Sequence, residues 1–229
     1  MKKILYSVAL AACCMGTMTS CSDFLDASNK SNVTAKQSFA TKEGLNNLVN
    51  NAYQHLQNVY AAPLFTSCFS AGTDMYADAR NKMNEALNTY ETLTPENTDI
   101  KNLYTYLYSG IRAANSVSYY AQTAQVDDKT KGQLVGEARV LAAYEYYLLV
   151  NNFGGVPIMK DFLTTADTGY PKSSAADVYA YIISELEDVI GKNVLQASTA
   201  TKGGGRISQE TAKAILAKTY LSAAWALNK

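Results

Sequence analysis

From residue 42 to residue 227, apolar residues recur every three or four positions, with two long irregular interruptions. In "TKEGLNNLVNNAYQHLQNVY" the residues Leu45, Leu48, Val49, Ala52, Tyr53 and Leu56 fall on one side of a helix. In "NTDIKNLYTYLYSGIRAANSVSYYAQ" the face is Ile100, Leu103, Leu107, Ile111, Ala114 and Ser118. Asp99 in its first turn suits the positive end of the helix dipole. A polar link, "VDDKTKG", leads into "QLVGEARVLAAYEYYLLVNNFGG". There the stripe is Leu134, Ala138, Leu141, Glu145 and Leu148, flanked by Tyr144 and Leu149. Gly154 and Gly155 end this helix and Pro157 prevents its resumption. A short link between two long amphipathic helices predicts an antiparallel hairpin.

The pattern then returns. Ser174 and Asp177 form an S-x-x-D start signal. Val178, Ile182, Leu186, Val189 and Ile190 make the next apolar face, which Gly191 is expected to end. A glycine-rich connector, "TKGGGR", reaches Ser208, the expected cap of the last helix. Its inner face is Ala212, Ile215, Leu216, Thr219, Ala223 and Leu227. No run of strands is visible, so the fold class is all-α. It consists of two helical hairpins of repeat type that start about 76 residues apart, separated by an inserted loop at 154–173. No clean repeat of about 34 residues is present. A helical repeat needs a neighbour or a polar capping helix. The last helix therefore packs back on the hairpins, or the chain is a piece of something longer.

The interruption at 61–97 contains Pro63, Gly72, Asp74, Asn81 and Pro95, with room for one short helix near 84–90. Excursions of this length are usually functional or mobile.

The N-terminal residues have a separate logic. Lys2 and Lys3 precede an apolar run from Ile4 to Met15, and Met18-Thr19-Ser20 leads into Cys21. This is the three-part layout of a secretory leader. The run is shorter than the roughly 20 residues a membrane-spanning helix needs. A cysteine directly after small residues points to a lipoprotein leader, with diacylglycerol attached to the Cys21 thiol. Leu10-Ala11-Ala12-Cys13 is formally a better match, but it would leave an apolar region of nine residues, so Cys21 is preferred. After cleavage at Cys21 the remaining unmodified cysteine is Cys68, which excludes an internal disulfide. The single histidine, His55, has no neighbouring ligands for a metal site and reads as a packing or surface residue.

Removing Lys2 and Lys3 leaves 18 basic against 20 acidic residues, and no basic stripe is present, so nucleic acid is not an expected partner. Seventeen tyrosines stand against six phenylalanines and one tryptophan. A phenol offers an apolar face and a hydroxyl, which serves helix packing first and the gripping of polar ligands second.

"GEARVLAAYEYYLLVNNFGGVPI" (136–158) resembles the central signature of the SusD/RagB family of outer-membrane nutrient-binding lipoproteins. "CSDFLD", "LNNLVNNAYQHL", "LYSGIRAAN", "DVYAYIISELEDVI" and "GRISQETAKAILAKTYL" fall around it in the family's order. The resemblance covers the N-terminal half of the family's length. It implies tetratricopeptide-like helical hairpins with a long loop insertion. It divides the chain into a leader (1–20), a lipidated tether (21–41) and a truncated SusD-like helical domain (42–229). It implies an outer-membrane seat in a Gram-negative bacterium, a lipid on Cys21, a cell-surface position signalled by Asp23, and no cofactor. Its implied partners are a glycan and a SusC-like TonB-dependent transporter. Ala142 and Lys172 stand where the family usually has arginine.

In the family, part of the sugar site lies in the excursion between the first helix and the first hairpin. Here that segment carries Asp74, Tyr76, Asp78 and Arg80. Carboxylate, guanidinium and phenol suit paired hydroxyls and the flat face of a sugar ring. The alternative is that Asp74 and Arg80 merely order the loop. The excursion lacks tryptophan, since Trp225 is on the last helix, which weakens the case for starch. Glu137 and Arg139, two apart, point to different sides and are expected to pair with neighbouring helices. "GGGR" lacks the G-K-[ST] of a phosphate loop. Three readings follow: a glycan-capturing surface lipoprotein, an adaptor that binds the transporter alone, and a glycosidase, for which no marked carboxylate pair is visible.

Overall fold

The computed structural model describes residues 34–61, 63–76, 85–165, 169–198 and 205–228. Cys13, Cys21, Asp23, Asp78 and Arg80 lie outside the described residues. Among those described, eight helices form: α1 (Ala35–Ser38), α2 (Lys42–Tyr60), α3 (Leu64–Phe69), α4 (Glu85–Thr89), α5 (Thr98–Ala121), α6 (Asp128–Phe153), α7 (Ala175–Lys192) and α8 (Gln209–Ala226).

Each long helix starts where a short polar side chain can take an orphan backbone N–H. Thr41 accepts from Gly44 N at 3.1 Å. Asn97 accepts from Asp99 N and Ile100 N at 3.1 and 3.2 Å. Ser174 and Asp177 form the reciprocal capping box that their spacing predicts. Ser208 accepts from Thr211 N at 3.1 Å. Two boundaries differ from the sequence reading. Asp127 accepts from Thr130 N at 2.9 Å, so α6 begins at Asp128 and most of the polar link is helix. Gly191 lies inside α7, which ends at Asn193 in the left-handed conformation (φ 50°), a geometry that asparagine tolerates.

α2 packs against α5 and α6, α5 against α6, α6 against α7, and α7 against α8, which also touches α6. α5 and α6 form the hairpin that the short link predicts, and α7 and α8 form the second. The scaffold reaches upstream of residue 42. Ala40 O accepts from Gln125 N at 2.8 Å, and the Phe39 ring lies 4.8 Å from Tyr120. Residues 39 and 40, expected at the end of the tether, are thus pinned to the end of α5.

α6 is the centre of the core. Leu134, Ala138, Leu141, Leu148 and Leu149 are buried as the stripe predicts, but so are Val140, Ala142, Ala143 and Tyr146 on other sides. The loop after α6 crosses the α5–α6 hairpin as a strap, held by side chains from below. Tyr146 OH accepts from Met159 N at 2.7 Å, Asn115 Nδ2 donates to Met159 O at 2.9 Å, and Tyr108 OH donates to Pro157 O at 2.7 Å. Glu145 is fully buried with no hydrogen-bond partner among the described residues, and its carboxyl fills the notch left by Gly110. A Cβ at Gly110 would come within 1.7 Å of Glu145 Oε1. Burial raises the Glu145 pKa well above the carboxylate range, so the group is held neutral.

Candidate functional site

The excursion at 61–97 is built in three described pieces: α3, a tight turn at 70–76, and α4. In the turn, Thr73 Oγ1 donates to Ser70 O at 2.7 Å and Tyr76 N donates to Thr73 O at 3.3 Å. Gly72 has φ 74°, and a Cβ there would stand 2.2 Å from the Tyr90 hydroxyl, so only glycine fits. Gly72 N also donates to Asn88 Oδ1 at 3.4 Å, which ties the turn to α4. Cys68 anchors α3 to the start of α5 through an Sγ to Asp99 O contact of 3.7 Å. Burial, with the Asp99 charge adding to it, pushes the Cys68 thiol up to about 11, which leaves it unreactive at neutral pH.

This turn carries two of the four sequence candidates: Asp74 is exposed and Tyr76 is half-buried. Asp78 and Arg80 lie outside the described residues. The structure adds aromatic surface that the polar reading of the segment missed. Tyr60, Phe65 and Phe69 stack with ring centroids 5.3 to 6.4 Å apart. Tyr60 and Phe65 are exposed, as are Met75 and Tyr90. The available signal was the density of aromatics between Pro63 and Pro95, which a purely hydrophobic-period reading discards. The Tyr60 hydroxyl is hydrogen-bonded to that of Tyr144 on α6, which fixes the platform to the core. Burial is the main reason the Tyr60 pKa is raised, so this phenol stays a neutral hydrogen-bonding group.

Glu137 and Arg139 of the signature helix do pair with neighbouring elements. Arg139 bonds Glu185 at 2.7 Å and Asp188 at 2.5 Å on α7. Glu137, 1% exposed, meets Arg206 at 2.7 Å, with Tyr53 OH at 3.2 Å and Gln133 Nε2 at 3.1 Å. Tyr53 OH in turn accepts from Ile207 N at 2.7 Å. Arg206, read in the sequence as the end of a glycine-rich connector, is therefore the residue that neutralises a buried carboxylate. Among the described residues no cluster of His, Cys, Asp or Glu is arranged to hold a metal, and no helix is long and apolar enough to cross a membrane.

The helical stack and its strap define a tetratricopeptide-like, all-α scaffold. Residues 23–221 match the SusD-like family model described as "Starch-binding associating with outer membrane", and the chain belongs to that family. The SusD-like protein P38 of Formosa agariphila is 28% identical over 179 residues, covering 76% of this chain and 34% of the relative. The structure of surface glycan-binding protein A from Bacteroides uniformis superposes with a TM-score of 0.66 at 26% identity, covering 77% of this chain and 41% of that one. Surface glycan-binding protein A from Bacteroides thetaiotaomicron, solved with laminarihexaose, gives a TM-score of 0.63 at 21% identity, covering 78% and 38%. The chain thus spans about a third of the length of that curated relative and about two fifths of those solved chains. The family is one of carbohydrate-binding surface proteins rather than enzymes.

Proposed function

We propose that this chain is the helical part of a lipid-anchored, cell-surface protein that captures a glycan and delivers it to a TonB-dependent outer-membrane transporter. The observation that carries this reading is the family match over residues 23–221, since neighbours of that fold are glycan-binding proteins. The lipid would sit on Cys21, ahead of a tether that ends on the Phe39–Tyr120 contact. The ligand surface would include the turn at 70–76 and its aromatic surroundings. Asp74 would accept from sugar hydroxyls, and Tyr76, Tyr90 and Phe65 offer flat faces to the ring. Asp78 and Arg80 remain candidates of the same segment.

Retention of the full chain on laminarihexaose-loaded gels, in detergent, tests the reading. Wild type is expected to be retarded, and the double variant Asp74→Ala/Tyr76→Ala to lose about tenfold in affinity, the worth of one charged hydrogen bond. Co-purification with a barrel transporter without retention on any glycan would replace this reading with the adaptor. Intact mass from native membranes, with Cys21 first and three acyl groups attached, is expected for the anchor; an unlipidated mass retaining Met1 would remove it.

A further inference from the structure

A cleft of about 370 Å³ lies between α2, α5 and the strap, and none of residues 70–76 lines it. Its volume is within the roughly 300–1,000 Å³ of small-molecule sites. One wall is aromatic: Phe39 lies 4.8 Å from Tyr120, and Tyr120 lies 5.9 Å from Phe162 on the strap. The opposite lining is polar, with Asn51 and His55 from α2 and Ser109 and Arg112 from α5. The Asn51 and Ser109 side chains make no hydrogen bond to any described residue, and His55 Nδ1 is shielded from solvent and equally unbonded.

Arg112 is the decisive residue. The other two described arginines are locked to carboxylates, Arg139 to Glu185 and Asp188, and Arg206 to Glu137. Arg112 has no carboxylate partner among the described residues. Its guanidinium lies 5.3 Å over the Phe162 ring and makes one long contact, 3.5 Å, to Leu163 O. Asp161 lines the adjoining hollow but forms no ion pair with it. Stacking holds the planar group at the cleft's lip and leaves N–H donors of its fork unspent. An anion is the ligand such a fork selects, and the aromatic wall with neutral donors beside it selects a ring bearing hydroxyls. A charged group on a saccharide meets both demands.

We infer that this cleft is a subsite for an acidic saccharide, with Arg112 holding the carboxylate or sulfate of the sugar and Phe162 and Tyr120 lying against its ring. The inference takes the glycan reading as its frame, but it concerns a site separate from the turn at 70–76.

The test is calorimetric titration of the full chain, in detergent, with trigalacturonate, a sulfated oligosaccharide of similar length, and neutral laminarihexaose. At least one acidic probe is expected to bind, and the stronger of the two identifies the anion as carboxylate or sulfate. Arg112→Gln is expected to weaken that probe about 10- to 100-fold, while leaving the melting temperature and laminarihexaose retention unchanged. Arg112→Lys should recover part of the loss, because charge returns without the fork. Asp74→Ala/Tyr76→Ala should leave the acidic probe's affinity intact. The subsite is overturned if neither acidic probe binds, if Arg112→Gln binds them as wild type does, or if a polyglutamate peptide binds as tightly. Acidic binding through Arg112 without laminarihexaose binding would remove the neutral-glycan reading and keep the subsite.

Discussion

α6 and α8 are both long apolar helices of the same stack, yet they meet opposite surroundings. α6 contacts α2, α5, α7 and α8 and is buried on every side along its middle. α8 packs on α7 and α6, buries Ala212, Ile215 and Thr219, and leaves Tyr220, Leu221 and Trp225 exposed at 47%, 75% and 84%. Apolar content alone does not separate them; the number of helices packed against each does, because in a helical repeat each helix is stabilised by its neighbours. The difference extends to polar groups. Within α6 a carboxylate must be paired, as Glu137 is, or neutral, as Glu145 is. On α8, polar groups such as the Tyr220 hydroxyl, bonded to Glu187 at 2.5 Å, sit at the surface, where pairing adds little.

The largest effect is expected at the centre of α6. Tyr146→Ala removes a fully buried ring and the support of the strap at Met159, and should cost about 3–5 kcal/mol by thermal or denaturant unfolding. Next is Arg206→Met, which strands a carboxylate that is 1% exposed and should cost about 3 kcal/mol. Adding Glu137→Met to it should recover most of the loss, and failure to do so would show that the pair does more than neutralise.

Third is Glu145→Gln, whose effect depends on pH. The folded pKa of Glu145 lies above its ordinary 4.5, so wild type has the full benefit of the neutral acid below pH 4.5 and loses it as pH rises towards the folded value. The glutamine variant has no such loss. Its melting temperature should match wild type near pH 4 and exceed it increasingly as pH rises from there, with about 1.4 kcal/mol gained per pH unit until the folded pKa is reached. A constant difference across pH would mean that the carboxyl is solvated in the native protein. The smallest effect belongs to α8: Trp225→Gln should stay within about 0.5 kcal/mol, since the indole is mostly in solvent. A loss comparable to that of Tyr146→Ala would erase the contrast between the two helices.

Helix identities were legible because their signals are local. Ser174 and Ser208, short polar residues at the head of an apolar period, cap helices as expected. Thr41, Asn97 and Asp127 cap helices too, but Asp127 lies in what reads as a polar link, so the start of α6 was not legible. Glu145 in the middle of the α6 stripe was legible as an acid on a core face. The excursion was less so. It has no period, its order rests on Gly72 fitting under Tyr90, and its exposed rings at Tyr60, Phe65 and Tyr90 come from three different elements. Asp74 and Tyr76 are candidates from the family resemblance and their residue chemistry; nothing local shows which other side chains share their surface.

The sequence by itself determined the all-α class, the two hairpins, the caps at Ser174 and Ser208 and most of the inner faces, because hydrogen bonds within a turn and a 3.6-residue period involve residues close along the chain. The tertiary structure alone decided which helix is central, that Arg206 reaches Glu137 and Tyr53, that the strap is held by Tyr108, Asn115 and Tyr146, and that Arg112 has no carboxylate partner among the described residues. Those facts join residues far apart along the chain, and burial there depends on what the rest of the fold brings alongside.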